Sequence, residues 1–157
     1  AYRHEGYTTQ LFIPHAPSFD NVFGFFAANP FEFQYCEEDY PEKFKSMGWG
    51  APDEYLFRYA FNKTDSLVSS GVKKTLSVIY GCSNHPPYTI PKEYYKKEYS
   101  EEEAAVSYAD TQLKMLYDLV RGTEWGKNAL FVFVADHGRN YVSNYCCPLK
   151  NKIEKVG

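Results

Sequence analysis

The sequence has no basic excess: 17 Lys and Arg stand against 20 Asp and Glu, for a formal net charge of −3. With a pI near 5.8, the chain lacks the positive stripe that nucleic-acid binding leaves in a sequence, so no nucleic-acid partner is expected. Long apolar runs are missing too. None approaches the roughly 20 residues that a membrane-spanning helix needs, and Ala1-Tyr2-Arg3-His4-Glu5-Gly6 lacks the charged-then-apolar order of a secretory signal. The chain as given is therefore expected to be soluble. Cysteine is sparse: Cys36, Cys82, Cys146 and Cys147 show neither the density of a disulfide scaffold nor the C-x-x-C spacing of a zinc site, so free thiols are favoured. No internal repeat or low-complexity tract is present, and 157 residues fit one domain or a piece of one.

What the chain does have is aromatic residues, 15 Tyr and 12 Phe. Core packing accounts for most of them, because each buries a large area; a carbohydrate-facing surface is the alternative. Gly6 reads as the stop of a helix that starts upstream, so the chain is expected to begin inside a fold, and Tyr7 to Ile13 reads as a strand rich in β-formers. A short helix is predicted from Asp20, as its cap, to Ala28, and Phe31 to Gly50 reads as loop. Pro52, Asp53 and Glu54 open a longer helix that Gly71 ends, and Thr75 to Tyr80 is a strand running into the turn-rich Gly81-Cys82-Ser83-Asn84-His85-Pro86-Pro87. Ser100-Glu101-Glu102-Glu103 is a capping box for a helix whose apolar face holds Ala105, Ala109, Leu113, Leu116 and Val120, with Gly122 as the stop. Ala129 to Ala135 is apolar throughout, as a strand buried on both faces of a parallel sheet would be, and it leads into Asp136-His137-Gly138. Strands alternating with helices give an α/β fold.

An Asp and a His side by side where a buried strand meets a glycine turn form half of a divalent-metal site, with one hard oxygen and one imidazole nitrogen. Alone, that tripeptide is equally compatible with a capping Asp and a surface His. Its setting decides more. Leu130 to Gly138 resembles the strand-plus-metal motif of the sulfatase and lipoteichoic-acid-synthase branch of the alkaline phosphatase superfamily. Phe19-Asp20-Asn21, Asp39-Tyr40-Pro41, Trp49 to Phe57, Ser83-Asn84-His85-Pro86-Pro87-Tyr88 and Tyr108-Ala109-Asp110 resemble further landmarks of that family in the same order. The resemblance runs from Gly6 to about Pro148.

The resemblance implies a partial alkaline-phosphatase-like three-layer α/β fold with a mostly parallel central sheet, residues 1–157 being the C-terminal portion of a catalytic domain. It implies that Asp136 and His137 bind a divalent metal, manganese or magnesium first, with calcium or zinc as alternatives. It places His85 at the substrate headgroup, as a hydrogen-bond donor to an anionic ester or a proton donor to a leaving oxygen. His15, after the first strand, is a second substrate-facing candidate, although Pro14 and Pro17 stand where the family usually has glycines and no arginine follows Phe19-Asp20-Asn21. His4 reads as a solvated helix residue. Cys146-Cys147-Pro148-Leu149-Lys150 approximates the sulfatase C-x-P-x-R modification site, but it ends in Lys and follows the Asp-His pair, so it is taken as accidental.

The family's nucleophile and its N-terminal acidic metal ligand belong upstream of Ala1, so no catalytic nucleophile is assigned within this chain, which is expected to be inactive alone. The implied function of the parent is metal-dependent transfer or hydrolysis of a phosphoryl or sulfuryl ester that is lipid- or glycan-linked. A phosphoglycerol-type transferase leads on the Asn-His-Pro-Pro loop, and a sulfatase is the alternative. The resemblance also implies an extracytoplasmic catalytic domain held at the cell membrane through a segment absent here. A rival of another class is a carbohydrate-binding module that uses exposed Tyr and Trp as stacking platforms and needs no Asp136–His137 pair.

Overall fold

Among the described residues every strand-to-strand pairing is parallel, so each connection must cross over, and here each carries a helix. A computed structural model describes residues 2–29, 31–44, 50–135 and 137. Strand β1 (Thr8–Phe12) lies between β2 (Phe33–Tyr35) and β3 (Thr75–Ile79). Leu11 is opposite Gln34 on one side and Val78 on the other; Phe12 is opposite Tyr35 and Ile79. Helix α1 (Val22–Ala28) fills the first crossover and α2 (Asp53–Ser69) the second, and α3 (Glu101–Arg121) follows.

The alternation of β1 side chains sets the layers. Leu11 and Ile13, both fully buried, pack with Cys36, Val78 and the α1 residues Val22, Phe23 and Phe26. Phe12 points the other way, into a cluster with Leu56, Phe57 and Ala60 of α2 and Leu116 and Val120 of α3. Gln10 shares that second face, where its Nε2 donates to Thr64 Oγ1 of α2 and to Ser77 Oγ, each at 3.1 Å. A sheet with helices on both faces is the three-layer α/β arrangement predicted from the sequence. Burial of each of Leu11, Phe12 and Ile13, all at 0% exposure, contributes roughly 1.5–3 kcal/mol.

Three sequence expectations are corrected. Residues 33–35, read as loop, form β2, a strand too short to show periodicity, created by pairing with β1. Asp20 does not cap α1: Asp20 and Asn21 take left-handed φ values of 46° and 54°, and the helix starts at Val22 with no side-chain cap bond from Asn21. The third is residues 129–135, read as a doubly buried strand, which have no assigned strand structure. Leu130, Val132, Phe133 and Val134 are 88, 73, 62 and 83% exposed, whereas Phe131 leans on Tyr117 of α3. A strand is buried by its ladder neighbours, and among the described residues none pairs with this segment.

The predicted punctuation holds elsewhere. Gly6 and Gly71 adopt positive φ, 78° and 101°, where chain elements stop. Ser100 and Glu103 form the reciprocal capping box of α3. Cys36 and Cys82 are free, buried thiols, while Cys146 to Lys150 lies outside the described residues. Among the described residues, no helix is long and apolar enough to cross a membrane.

Candidate functional site

Parallel strands bring all their carboxyl ends to one edge, and the loops leaving those ends are where α/β sheets place chemistry. Here the loops after β1 and β3 are both tied to the segment that opens α2. After β1, Pro14 O accepts from Ala51 N and His15 O accepts from Glu37 N, both at 3.0 Å. Tyr40 Oη donates to Ile13 O at 2.8 Å. Gly50 makes the first contact possible: its φ is +117°, and a Cβ there would lie 2.2 Å from Pro14 O. Only glycine fits both conditions.

The β3 loop is held through Asp53. Its Oδ1 accepts from Cys82 N at 2.9 Å and from Ser83 N at 3.2 Å, and Asp53 N donates back to Ser83 Oγ at 3.0 Å. Cys82 Sγ donates to Ala51 O at 3.6 Å. The next α2 donor, Glu54 N, meets Tyr108 Oη of α3 at 3.3 Å. Two N–H groups that a helix start leaves without intrahelical partners are thus satisfied by side chains from the loop and from α3. Asp53 is 2% exposed. Burial pushes its carboxyl above the usual aspartate value, and the bonds from Cys82 and Ser83 act in the opposite direction. Burial likewise pushes the Cys82 thiol up, helped by the Asp53 charge, so Cys82 is a poor nucleophile.

His85 stands on this tethered loop, exposed, in a small recess lined by Gly50, Pro52, Cys82, Ser83, Pro87 and Thr89. His85 N donates to Cys82 O at 3.0 Å. Its Nδ1 lies 2.6 Å from Pro86 O, and because a carbonyl only accepts, Nδ1 must carry the proton. A ring held through Nδ1 would meet a leaving oxygen through Nε2.

His15 is at the same edge but buried, at 6% exposure, with its ring stacked on Phe19 at 3.9 Å. His4, in the opening turn, is exposed as expected. His137 is exposed; Asp136 lies outside the described residues, so the predicted metal pair is described by only one of its members. Among the described residues, no three His, Cys, Asp or Glu side chains gather into a metal-binding group. Sequence reasoning placed Asp53 and Ser83 in two separate family landmarks, with Asp53 as a charge at a helix start, and missed that the two hold each other at this edge. An acid directly after the Pro that opens a helix was the available signal, but its acceptor role depends on a loop 29 residues away.

The comparisons with known proteins agree with this fold. A family model described as Sulfatase matches residues 1–150. A crystal structure of a protein in the alkaline phosphatase superfamily from Vibrio parahaemolyticus is 30% identical and superposes with a TM-score of 0.70, over 79% of this chain and 31% of that one. The lipoteichoic acid synthase LtaP from Listeria monocytogenes, 24% identical, shares the fold with a TM-score of 0.67 over 77% of this chain and 31% of its own. The chain thus spans less than a third of either structure. With a parallel three-stranded sheet, loops gathered at its carboxyl edge and a match over nearly its whole length, the chain belongs to the sulfatase family.

Proposed function

We propose that residues 1–157 are the C-terminal portion of a sulfatase-like catalytic domain whose whole protein transfers or hydrolyses a phosphoryl or sulfuryl ester, with phosphoglycerol transfer as the leading reaction. The observation that carries this reading is His85: an exposed imidazole with Nδ1 committed to Pro86 O, on a loop tied to the sheet's carboxyl edge, in a chain of this family. In the proposed reaction His85 acts as the doubly protonated imidazolium: Nδ1–H stays on Pro86 O while Nε2–H donates to the anionic ester and passes its proton to the leaving oxygen, which leaves the ring neutral. The tether from Asp53 keeps the imidazole in place while it does so. His15, buried against Phe19, is the lesser of the two proposed substrate contacts.

Asp136 and His137 are proposed to hold a divalent metal, manganese or magnesium first, with calcium or zinc as alternatives. The donor set fits, since a carboxylate oxygen beside an imidazole nitrogen suits a borderline divalent ion, and His137 is exposed to an entering ion. When bound, such an ion would neutralise charge on the ester oxygens and on a nucleophile supplied from outside this chain. An extracytoplasmic catalytic domain anchored at the cell membrane, acting on a lipid- or glycan-linked ester, completes the reading.

The match to the Sulfatase model keeps sulfuryl ester hydrolysis as the second reading. Turnover by the whole protein decides between them, measured as glycerol phosphate release from phosphatidylglycerol vesicles and sulfate release from p-nitrophenyl sulfate, with and without chelator. Chelator-sensitive turnover of the phosphodiester alone is expected. Turnover of the sulfate alone would assign a sulfatase, and turnover of neither would overturn the proposal.

A further inference from the structure

Asp53 is a carboxylate kept at 2% exposure, which is expensive unless the charge is well hydrogen-bonded. A simpler role, an acid placed at a helix start for its dipole, requires no burial. The bonds that Asp53 accepts come from the β3 loop, and both converge on Oδ1. Ser83 returns the contact by accepting Asp53 N, so the α2 start and residues 82–83 hold each other reciprocally. The fit is also tight on the other oxygen: a Cβ at Gly81 would lie 3.3 Å from Oδ2. Two residues beyond Ser83 stands His85, whose own N–H bonds back to Cys82 O. Any freedom in Cys82 therefore becomes freedom in His85.

We propose that Asp53 is the positioning residue of the His85 loop: by accepting the Cys82 and Ser83 N–H groups it locks the loop to the start of α2 and fixes where the His85 imidazole stands. This rests on the reading of His85 as the substrate-facing histidine, and it adds a residue that acts only through the loop backbone. What Asp53 supplies is an acceptor oxygen at one place. Its charge is incidental, so an amide there keeps the lock and a methyl does not.

The test uses the isotope-labelled 157-residue chain, with amide exchange at Cys82 and Ser83, the His85 ring resonances, and titration with inorganic phosphate as the probe. In Asp53→Ala, exchange at both amides is expected to accelerate about tenfold or more while Leu11 and Leu116 stay protected, and the His85 ring signals to shift or broaden. Phosphate affinity at His85 should fall by about tenfold or more, as expected when the two N–H bonds that hold the loop are lost. Asp53→Asn is expected to restore all three readouts to within about threefold of the parent chain. If Asp53→Ala does not fold, Gly81→Ala, which crowds Oδ2 and leaves Asp53 in place, should loosen the same two amides and move the His85 ring. Unchanged amide protection and an unmoved ring in either substitution would overturn the proposal. His85→Gln separates this from the functional reading: phosphate binding unaffected by that change removes His85 from the substrate site, whereas the amide and ring measurements still decide the role of Asp53.

Discussion

Two stretches of this chain follow a strand-like apolar run with a histidine-bearing turn, and they end differently. Thr75–Ile79 pairs with β1, and the loop beyond it is tied down by Asp53, Ser83 and Ala51 before it reaches His85. Residues 129–135 carry the more hydrophobic pattern, yet Leu130, Val132 and Val134 stand open on one side while Ala129 and Phe131 rest on the core on the other. Apolar pattern expresses a demand for burial; whether the demand is met depends on a neighbouring strand, which no local stretch of sequence can supply. The tied half of the edge is the half whose partners stand among the described residues.

That contrast can be broken by substitution. Leu56→Ala, at a fully buried position beneath the tethered edge, should lower the stability of the chain by about 2–5 kcal/mol, read from urea unfolding. A loss under about 1 kcal/mol would mean that the α2 face of the sheet is not the core described. Ser100→Ala, which removes the α3 cap acceptor for Glu103 N, should remove about 0.5–2 kcal/mol in the same assay. Val132→Thr, on the exposed side of the unpaired run, should change stability by no more than about 0.5 kcal/mol. A large loss there would show that the segment is buried in solution after all.

A smaller effect follows pH. Bonds from the Ser100 backbone and side chain hold the Glu103 carboxyl below the usual glutamate value. The unfolded chain therefore takes up that proton first as pH falls, so the contribution of the box is present above the ordinary glutamate value and lost as pH drops through the folded one. Exchange at Ser100 N–H, which donates to Glu103 Oε2 at 2.8 Å, should accelerate relative to other α3 amides over that interval. A constant ratio down to the unfolding pH would show that the box does not form in solution.

The parts legible in the sequence were those decided within a few residues. The Ser100 box, the glycine stops at Gly6 and Gly71, and the β1 and β3 runs are local chemistry, and all appear in the fold. β2 was not legible because Phe33–Tyr35 is three residues long and is a strand only by virtue of β1. Asp20 misled because a capping residue type was assumed to take a capping conformation, whereas its backbone is left-handed. At the edge itself the motif around His85 could be found from its residues. The lock beneath it could not, since it joins Asp53 to an amide 29 positions away. The family match then supports the landmark reading over residues 1–150, although Asp136 itself lies outside the described residues.

The central claim of the proposed function is that this chain contributes part of a metal-dependent ester site and not the whole of it. The two ligands proposed within it, Asp136 and His137, would not complete a sphere that ordinarily takes about four to six donors. Calorimetric titration with Mn²⁺ of the 157-residue chain, of the whole protein and of its Asp136→Ala variant tests this most directly. Weak binding by the chain, tight binding by the whole protein and loss of that binding in the variant are the predicted results. Tight, stoichiometric binding by the chain alone, or metal-independent glycan binding that survives Asp136→Ala in a whole protein indifferent to Mn²⁺, would contradict the account.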